Sequence, residues 1–123
     1  MSDRNPADLT PEMQNAYAQW DVGMKAANVD YILTCTLRTQ AEQEALFAQG
    51  RTAPGHIVTW TLHSKHLTGE AFDFVVMVNG KPDWLMVYKD QWDKAVEIGK
   101  GLGLSQVIGS DGRILEFAHL QMG

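Results

Sequence analysis

Ala71-Phe72-Asp73-Phe74-Val75-Val76-Met77-Val78, closed by Asn79-Gly80, is the stretch on which the fold turns. Eight mostly aromatic and β-branched residues ended by a hairpin turn signal read as a β-strand. Alternation puts Phe72, Phe74, Val76 and Val78 on one face and Ala71, Asp73, Val75 and Met77 on the other. A carboxylate facing a buried sheet surface costs several kcal/mol unless a cation or hydrogen-bond donors compensate it. Asp73 therefore needs a partner.

Upstream, Thr10-Pro11-Glu12 combines a hydroxyl N-cap, a proline at the first helical position and an acid in the first turn. A helix is expected from there to about Ala27, with Met13, Ala16, Tyr17, Trp20, Met24 and Ala27 on one apolar stripe. Val29 to Leu37 reads as a strand, and Thr39-Gln40-Ala41-Glu42 has capping-box spacing and opens a helix ending near Gly50. Arg38 sits at the junction. Arg51 to Leu67 holds three of the four histidines without helical or alternating period and reads as loop. Downstream, a third helix is expected from about Asp83 or Asp90 to Lys100, turning Trp92, Ala95, Val96 and Gly99 inward. Short strands near Leu104–Ile108 and Ile114–Met122 would flank a Gly109-Ser110-Asp111-Gly112 turn. This irregular interleaving with hairpin-type turns favours an α+β fold, a small antiparallel sheet covered by about three helices, over a doubly wound parallel sheet.

A chain of 123 residues fits one domain, residues 1–123, and its 45% hydrophobic content suffices for a self-sufficient core. The net charge of −5 lacks the basic footprint of a nucleic-acid binder. One cysteine, Cys35, cannot form an internal disulfide, and in its apolar stretch it reads as a buried, inert thiol suited to a reducing cytosol. Met1 to Pro6 carries no apolar signal segment, and no stretch is long enough to span a bilayer. The expectation is a soluble protein made in the cytoplasm without a signal peptide, with no stable membrane association and no feature requiring more than a monomer.

His66, Asp73 and His119 are the residues with chemical promise. Two imidazoles and one carboxylate can hold Zn²⁺ and leave a tetrahedral position for water, as a hydrolytic site requires. Glu116, three residues before His119, can border such a site as a general base or acid. A two-His-one-carboxylate set also suits non-haem Fe(II), although the six residues between His66 and Asp73 are unlike the close His-x-Asp spacing expected there. A loop histidine and a strand aspartate are also common as hydrogen-bonded structural residues. Spacing alone leaves these readings open.

Ser64-x-His66 followed by six residues and Asp73, with Glu116-x-x-His119 near the C-terminus, resembles the zinc D-alanyl-D-alanine carboxypeptidase and L-alanyl-D-glutamate endopeptidase family, which has the Hedgehog/DD-peptidase fold. Leu37-Arg38-Thr39, Ala45-Leu46-Phe47-Ala48-Gln49-Gly50-Arg51-Thr52 and Val58-Thr59 extend the resemblance, which runs from about residue 30 to 121. It implies zinc held by His66, Asp73 and His119, Glu116 as catalytic base, and Arg38 facing the scissile carbonyl of a bound substrate. Against that, Arg38 could form a helix-edge salt bridge to Glu42 or Glu44. Ser64 would orient His66 or a substrate group, or serve only as a turn hydroxyl. His56 and His63 match no ligand position and read as surface or substrate-edge residues, Lys65 reads as a solvated loop lysine or an attractor of a substrate carboxylate, and Gln121 stands where some relatives carry an acid. Trp60, Trp84 and Trp92 are candidates for a groove, with helix packing the alternative, above all for Trp92.

The activity implied is cleavage of peptidoglycan stem peptides between L-alanine and D-glutamate, in the manner of compact phage endolysins that reach the wall after a membrane lesion. D-alanyl-D-alanine carboxypeptidase or dipeptidase activity, or a non-catalytic zinc-containing wall binder, are the alternatives. With three helices around its core, the protein is expected to stay largely folded, though inactive, without zinc.

Overall fold

The computed structural model describes residues 3–57, 62–108 and 114–122, with backbone alone at 107–108 and 114–117. Trp60, Val58, Thr59 and the expected turn at 109–112 lie outside the described residues. The elements are α1 (Pro11–Ala26), β1 (Asp30–Cys35), α2 (Gln40–Ala48), β2 (Ala71–Val78), β3 (Lys81–Pro82), α3 (Lys89–Gly101), β4 (Leu104–Ile108) and β5 (Ile114–Met122). All pairings are antiparallel, in the order β1-β2-β5-β4, with the short β3 paired to the far end of β2. Strand β2 is central, between β1 and β5, and the α+β expectation holds.

Local signals account for the helix starts. Thr10 Oγ1 accepts from Met13 N at 3.2 Å, and the capping box forms in full: Glu42 N donates to Thr39 Oγ1 at 3.1 Å and Thr39 N to Glu42 Oε1 at 3.0 Å. The helix after it stops at Ala48, just short of Gly50. Of the two starts open for α3, the later is observed. Asp83 does not begin the helix because its carboxylate accepts from Val87 N at 3.0 Å, Tyr88 N at 2.9 Å and the Trp92 indole at 3.1 Å, which braces the turn leading into Lys89.

α1 and α3 cover the sheet face that carries Phe72, Phe74 and Val76, all fully buried. Trp20 stands edge-on to Phe72 with ring centroids 4.9 Å apart, and Trp92 lies 5.4 Å from Phe74. The Trp20 indole donates to Ala95 O at 2.9 Å and ties α1 to α3. At Gly99 a Cβ would come within 2.9 Å of Leu120 Cδ1, so glycine lets α3 sit this close to β5 without displacing that buried side chain. Each large apolar side chain fully buried here contributes roughly 1.5–3 kcal/mol. The fold is thus held from the helix side, while Asp73 faces the other side of the sheet.

Two departures from the sequence reading shape that other side. The stretch read as loop to Leu67 ends in a 3-10 turn, Lys65–Thr68, which is terminated by Gly69 in the left-handed region at φ 74°. A Cβ on Gly69 would meet Asp8 O at 3.0 Å, and Thr10 N donates to Gly69 O at 3.0 Å, so the turn is clamped to the N-terminal segment. The second departure is in β1, which is shorter than Val29–Leu37 and irregular: Leu33 opposes Phe74, yet Cys35 opposes Asp73. Regular alternation would put Leu33 and Cys35 on one face; the bulge between them turns Cys35 to the face of Asp73.

Candidate active site

The register of β2 against β5 pairs Asp73 directly with His119. Opposed residues in an antiparallel pair project on the same side, so carboxylate and imidazole meet. The 3-10 turn delivers His66 from above. His66 Nε2 and His119 Nδ1 each lie 3.0 Å from Asp73 Oδ1 and 3.2 Å from one another. Both rings are buried and Asp73 is half-buried. Residues far apart in sequence thus put three donor atoms into one small triangle.

Each ring is anchored through its remote nitrogen. His66 Nδ1 lies 2.7 Å from Thr36 O, and a carbonyl oxygen only accepts, so Nδ1 carries the proton and Nε2 presents a lone pair. His119 Nε2 lies 2.9 Å from Gln121 Oε1, which fixes its proton there and leaves Nδ1 as the inward lone pair. Two imidazole lone pairs and a carboxylate oxygen at such distances repel unless a cation sits among them. Without metal that cation is a proton. Burial pushes His66 down, but its hydrogen bond to Asp73, with the nearby Cys35 thiol, lifts it to about 10. Burial would raise Asp73; the imidazoles of His119 and His66 against it instead hold its carboxyl well below the usual carboxylate range. Nitrogen and oxygen donors so arranged are a fitting set for a divalent metal.

Arg38 closes one side of this centre. Its Nη2 lies 3.6 Å from Asp73 Oδ2 and 3.5 Å from Cys35 Sγ, and its Nη1 donates to the fully buried Gln43 Oε1 at 2.7 Å. Among the described contacts Arg38 pairs with neither Glu42 nor Glu44, and Glu42 is held by the capping box. Cys35 is buried as expected, but its surroundings are polar, and its Sγ, a His66 nitrogen and an Asp73 oxygen lie within 4.8 Å of one another. The β1 bulge explains the correction. Gln43 and Gln121 belong to no ligand or catalytic motif; the signals for them in the sequence are a polar residue on the inner face of α2 and one two positions after His119.

Ser64 Oγ accepts from His66 N at 3.2 Å, so the hydroxyl caps the turn that carries the histidine. Glu116 belongs to β5 and opposes Val107, where the β4–β5 register slips; its side chain lies outside the described residues. His56 and His63 are exposed, Lys65 is half-buried, and none joins the triangle among the described contacts. Trp92 is core, whereas Trp84 is 63% exposed on the turn before α3. No helix among the described residues is long and apolar enough to cross a membrane.

The chain resembles proteins of known activity over nearly its full length. It is 38% identical over 130 residues to the peptidoglycan L-alanyl-D-glutamate endopeptidase CwlK of Bacillus subtilis (strain 168), covering 95% of this chain and 75% of that protein. It is 28% identical over 115 residues to the L-alanyl-D-glutamate peptidase of Escherichia phage T5, covering 89% and 77%. The crystal structure of the L-Ala D-Glu endopeptidase ChiX of Serratia marcescens superposes with a TM-score of 0.68 at 22% identity, over 100% of this chain and 89% of that one, which shows the shared fold. The sequence model of the phage L-alanyl-D-glutamate peptidases matches residues 5–114, from the N-terminal segment that clamps Gly69 through α3 and β4. With a match of that extent on a fold that gathers His66, Asp73 and His119, the chain belongs to the phage L-alanyl-D-glutamate peptidase family.

Proposed function

We propose that this peptidoglycan peptidase holds Zn²⁺ on His66, Asp73 and His119 and hydrolyses the bond between L-alanine and D-glutamate in stem peptides. The observation that carries it is the triangle of inward lone pairs, 3.0–3.2 Å on each side, with both imidazoles anchored from behind. Donors around tetrahedral zinc stand roughly 3.3 Å apart for bonds of about 2.0–2.1 Å, so small adjustments suffice. His66, Asp73 and His119 are the better donor set than one that includes Cys35, whose thiol is engaged by Arg38. When bound, zinc supplies a Lewis acid and lowers the pKa of a coordinated water to about 7.

The chain's own residues do the rest. Arg38, held by Gln43 beside Asp73, donates to the scissile carbonyl oxygen as negative charge develops there, an interaction stronger in the transition state than in the ground state. Glu116 accepts the proton of the attacking water and returns it to the amine nitrogen of the departing D-glutamyl residue. Ser64 acts on His66 through the turn that it caps. The protein works as a single domain and monomer, made in the cytoplasm and acting on the wall after release.

Incubation with purified sacculi, followed by mass spectrometry of the released ends, tests the reading. New L-alanine carboxyl ends and D-glutamate amino ends that vanish with a chelator and return with zinc are expected. Release of D-alanine alone would make it a carboxypeptidase, and intact sacculi with tightly held zinc would make it a binder.

A further inference from the structure

His66 and His119 are anchored in different ways. The acceptor for His66 is the backbone carbonyl of Thr36, whereas the acceptor for His119 is a side chain, Gln121, on the same strand. Ala71–Gln121 and Asp73–His119 are successive same-face pairs of the β2–β5 ladder, so the amide stands one pair behind the imidazole. Neutral imidazole has one proton and two places for it. On Nδ1 it would point at Asp73 and close the centre to a metal; on Nε2 it needs an acceptor outside the centre.

We propose that Gln121 is the positioning residue for His119: its amide oxygen holds the Nε2 proton and so keeps the Nδ1 lone pair aimed at the space shared with His66 and Asp73. This rests on the zinc reading above and adds a residue to it. The amide does so without bringing a second negative charge beside Asp73. Arg38 and the metal then face one negative charge fewer than a carboxylate at position 121 would bring, which leaves more of their positive charge for the substrate carbonyl. A carboxylate at this position would accept the same proton and draw it more strongly, making the ring a stronger donor.

The test is zinc affinity, read by competition with a chromogenic chelator, in the wild type, Gln121→Leu and Gln121→Glu, with nitrogen-edited NMR of the zinc-loaded histidine rings. Removing the acceptor is expected to weaken zinc binding by about 10- to 100-fold and to remove the protected Nε2 proton of His119. Gln121→Glu, which keeps an acceptor, is expected to bind zinc at least as tightly as the wild type and to retain that proton. Zinc affinity of Gln121→Leu within twofold of wild type, or an unchanged His119 ring signal in it, would overturn the assignment. Should Gln121→Leu not fold, a tenfold or greater loss in Gln121→Glu would overturn it equally. A wild type that takes up no zinc at all removes the zinc reading itself, an outcome distinct from one in which wild type and Gln121→Leu bind alike.

Discussion

The ring of His66 donates through Nδ1 to the carbonyl oxygen of Thr36, 2.7 Å away and thirty residues earlier in the chain. The Arg38 amide in turn donates to His66 O at 2.9 Å. The short segment after β1 therefore grips the histidine at ring and backbone, and it sets which nitrogen faces Asp73. That grip decides how protons and metal compete for the centre.

In the metal-free protein His66 is lifted to about 10, so near neutral pH its Nε2 carries a proton that zinc must displace. Zinc binding at pH 8 is expected to release about one proton, measurable as the dependence of calorimetric heat on buffer ionisation enthalpy. The folded value lies above the unfolded one of about 6.5. The His66–Asp73 pair therefore stabilises the metal-free protein fully below that pH and progressively less as pH rises toward 10. Asp73, held low, contributes above its ordinary value of 3.8 and stops doing so on acidification. Melting of chelator-treated protein should shift downward between pH 6.5 and 10; a flat profile would contradict the pairing.

Chelation should abolish hydrolysis and leave the fold. The buried Trp20, Trp92, Phe72 and Phe74 pack on the helix side of the sheet, away from His66 and His119. Near-UV circular dichroism in excess chelator is expected to keep its aromatic signal, and its loss would place the metal among the determinants of the fold.

Arg38→Lys keeps the charge but cannot reach Gln43 and the substrate carbonyl together, since lysine lacks the planar fork. A fall in kcat on the order of 10²- to 10³-fold with a smaller change in KM is expected, as for loss of an oxyanion donor. Gln43→Leu removes the 2.7 Å brace and should reproduce part of that loss, up to about 10²-fold, through misplacement alone. Steady-state kinetics on a soluble stem peptide separates the two.

Glu116→Gln removes the proposed proton carrier and nothing from the metal triangle. Zinc stoichiometry and melting temperature should match the wild type while kcat falls by about 10²- to 10⁴-fold. Unchanged turnover would assign the proton transfer to another group.

Gly69→Ala places a Cβ 3.0 Å from Asp8 O at a φ of 74°. A loss of about 1–3 kcal/mol in unfolding free energy is expected from urea titration. Because Gly69 ends the turn bearing His66, zinc affinity should fall with it, whereas alanine at the exposed Gly101, which a Cβ would leave without contacts, should change neither.

Strand 71–78, the Thr10 and Thr39 helix starts and the inward set Trp92, Ala95, Val96 and Gly99 were legible in the sequence because alternation, helical period and capping are written in residues a few positions apart. The same locality made Asp73 conspicuous as a carboxylate on a hydrophobic strand, and the resemblance singled out His66, His119 and Arg38. What only the tertiary structure decided is how these groups face each other. The β2–β5 register brings His119 onto Asp73 across 46 residues, the β1 bulge turns Cys35 toward them, and side-chain amides on α2 and β5 brace Arg38 and His119. Register, bulges and the choice of a hydrogen-bond acceptor are settled by packing between distant segments, and no periodicity within a segment encodes them.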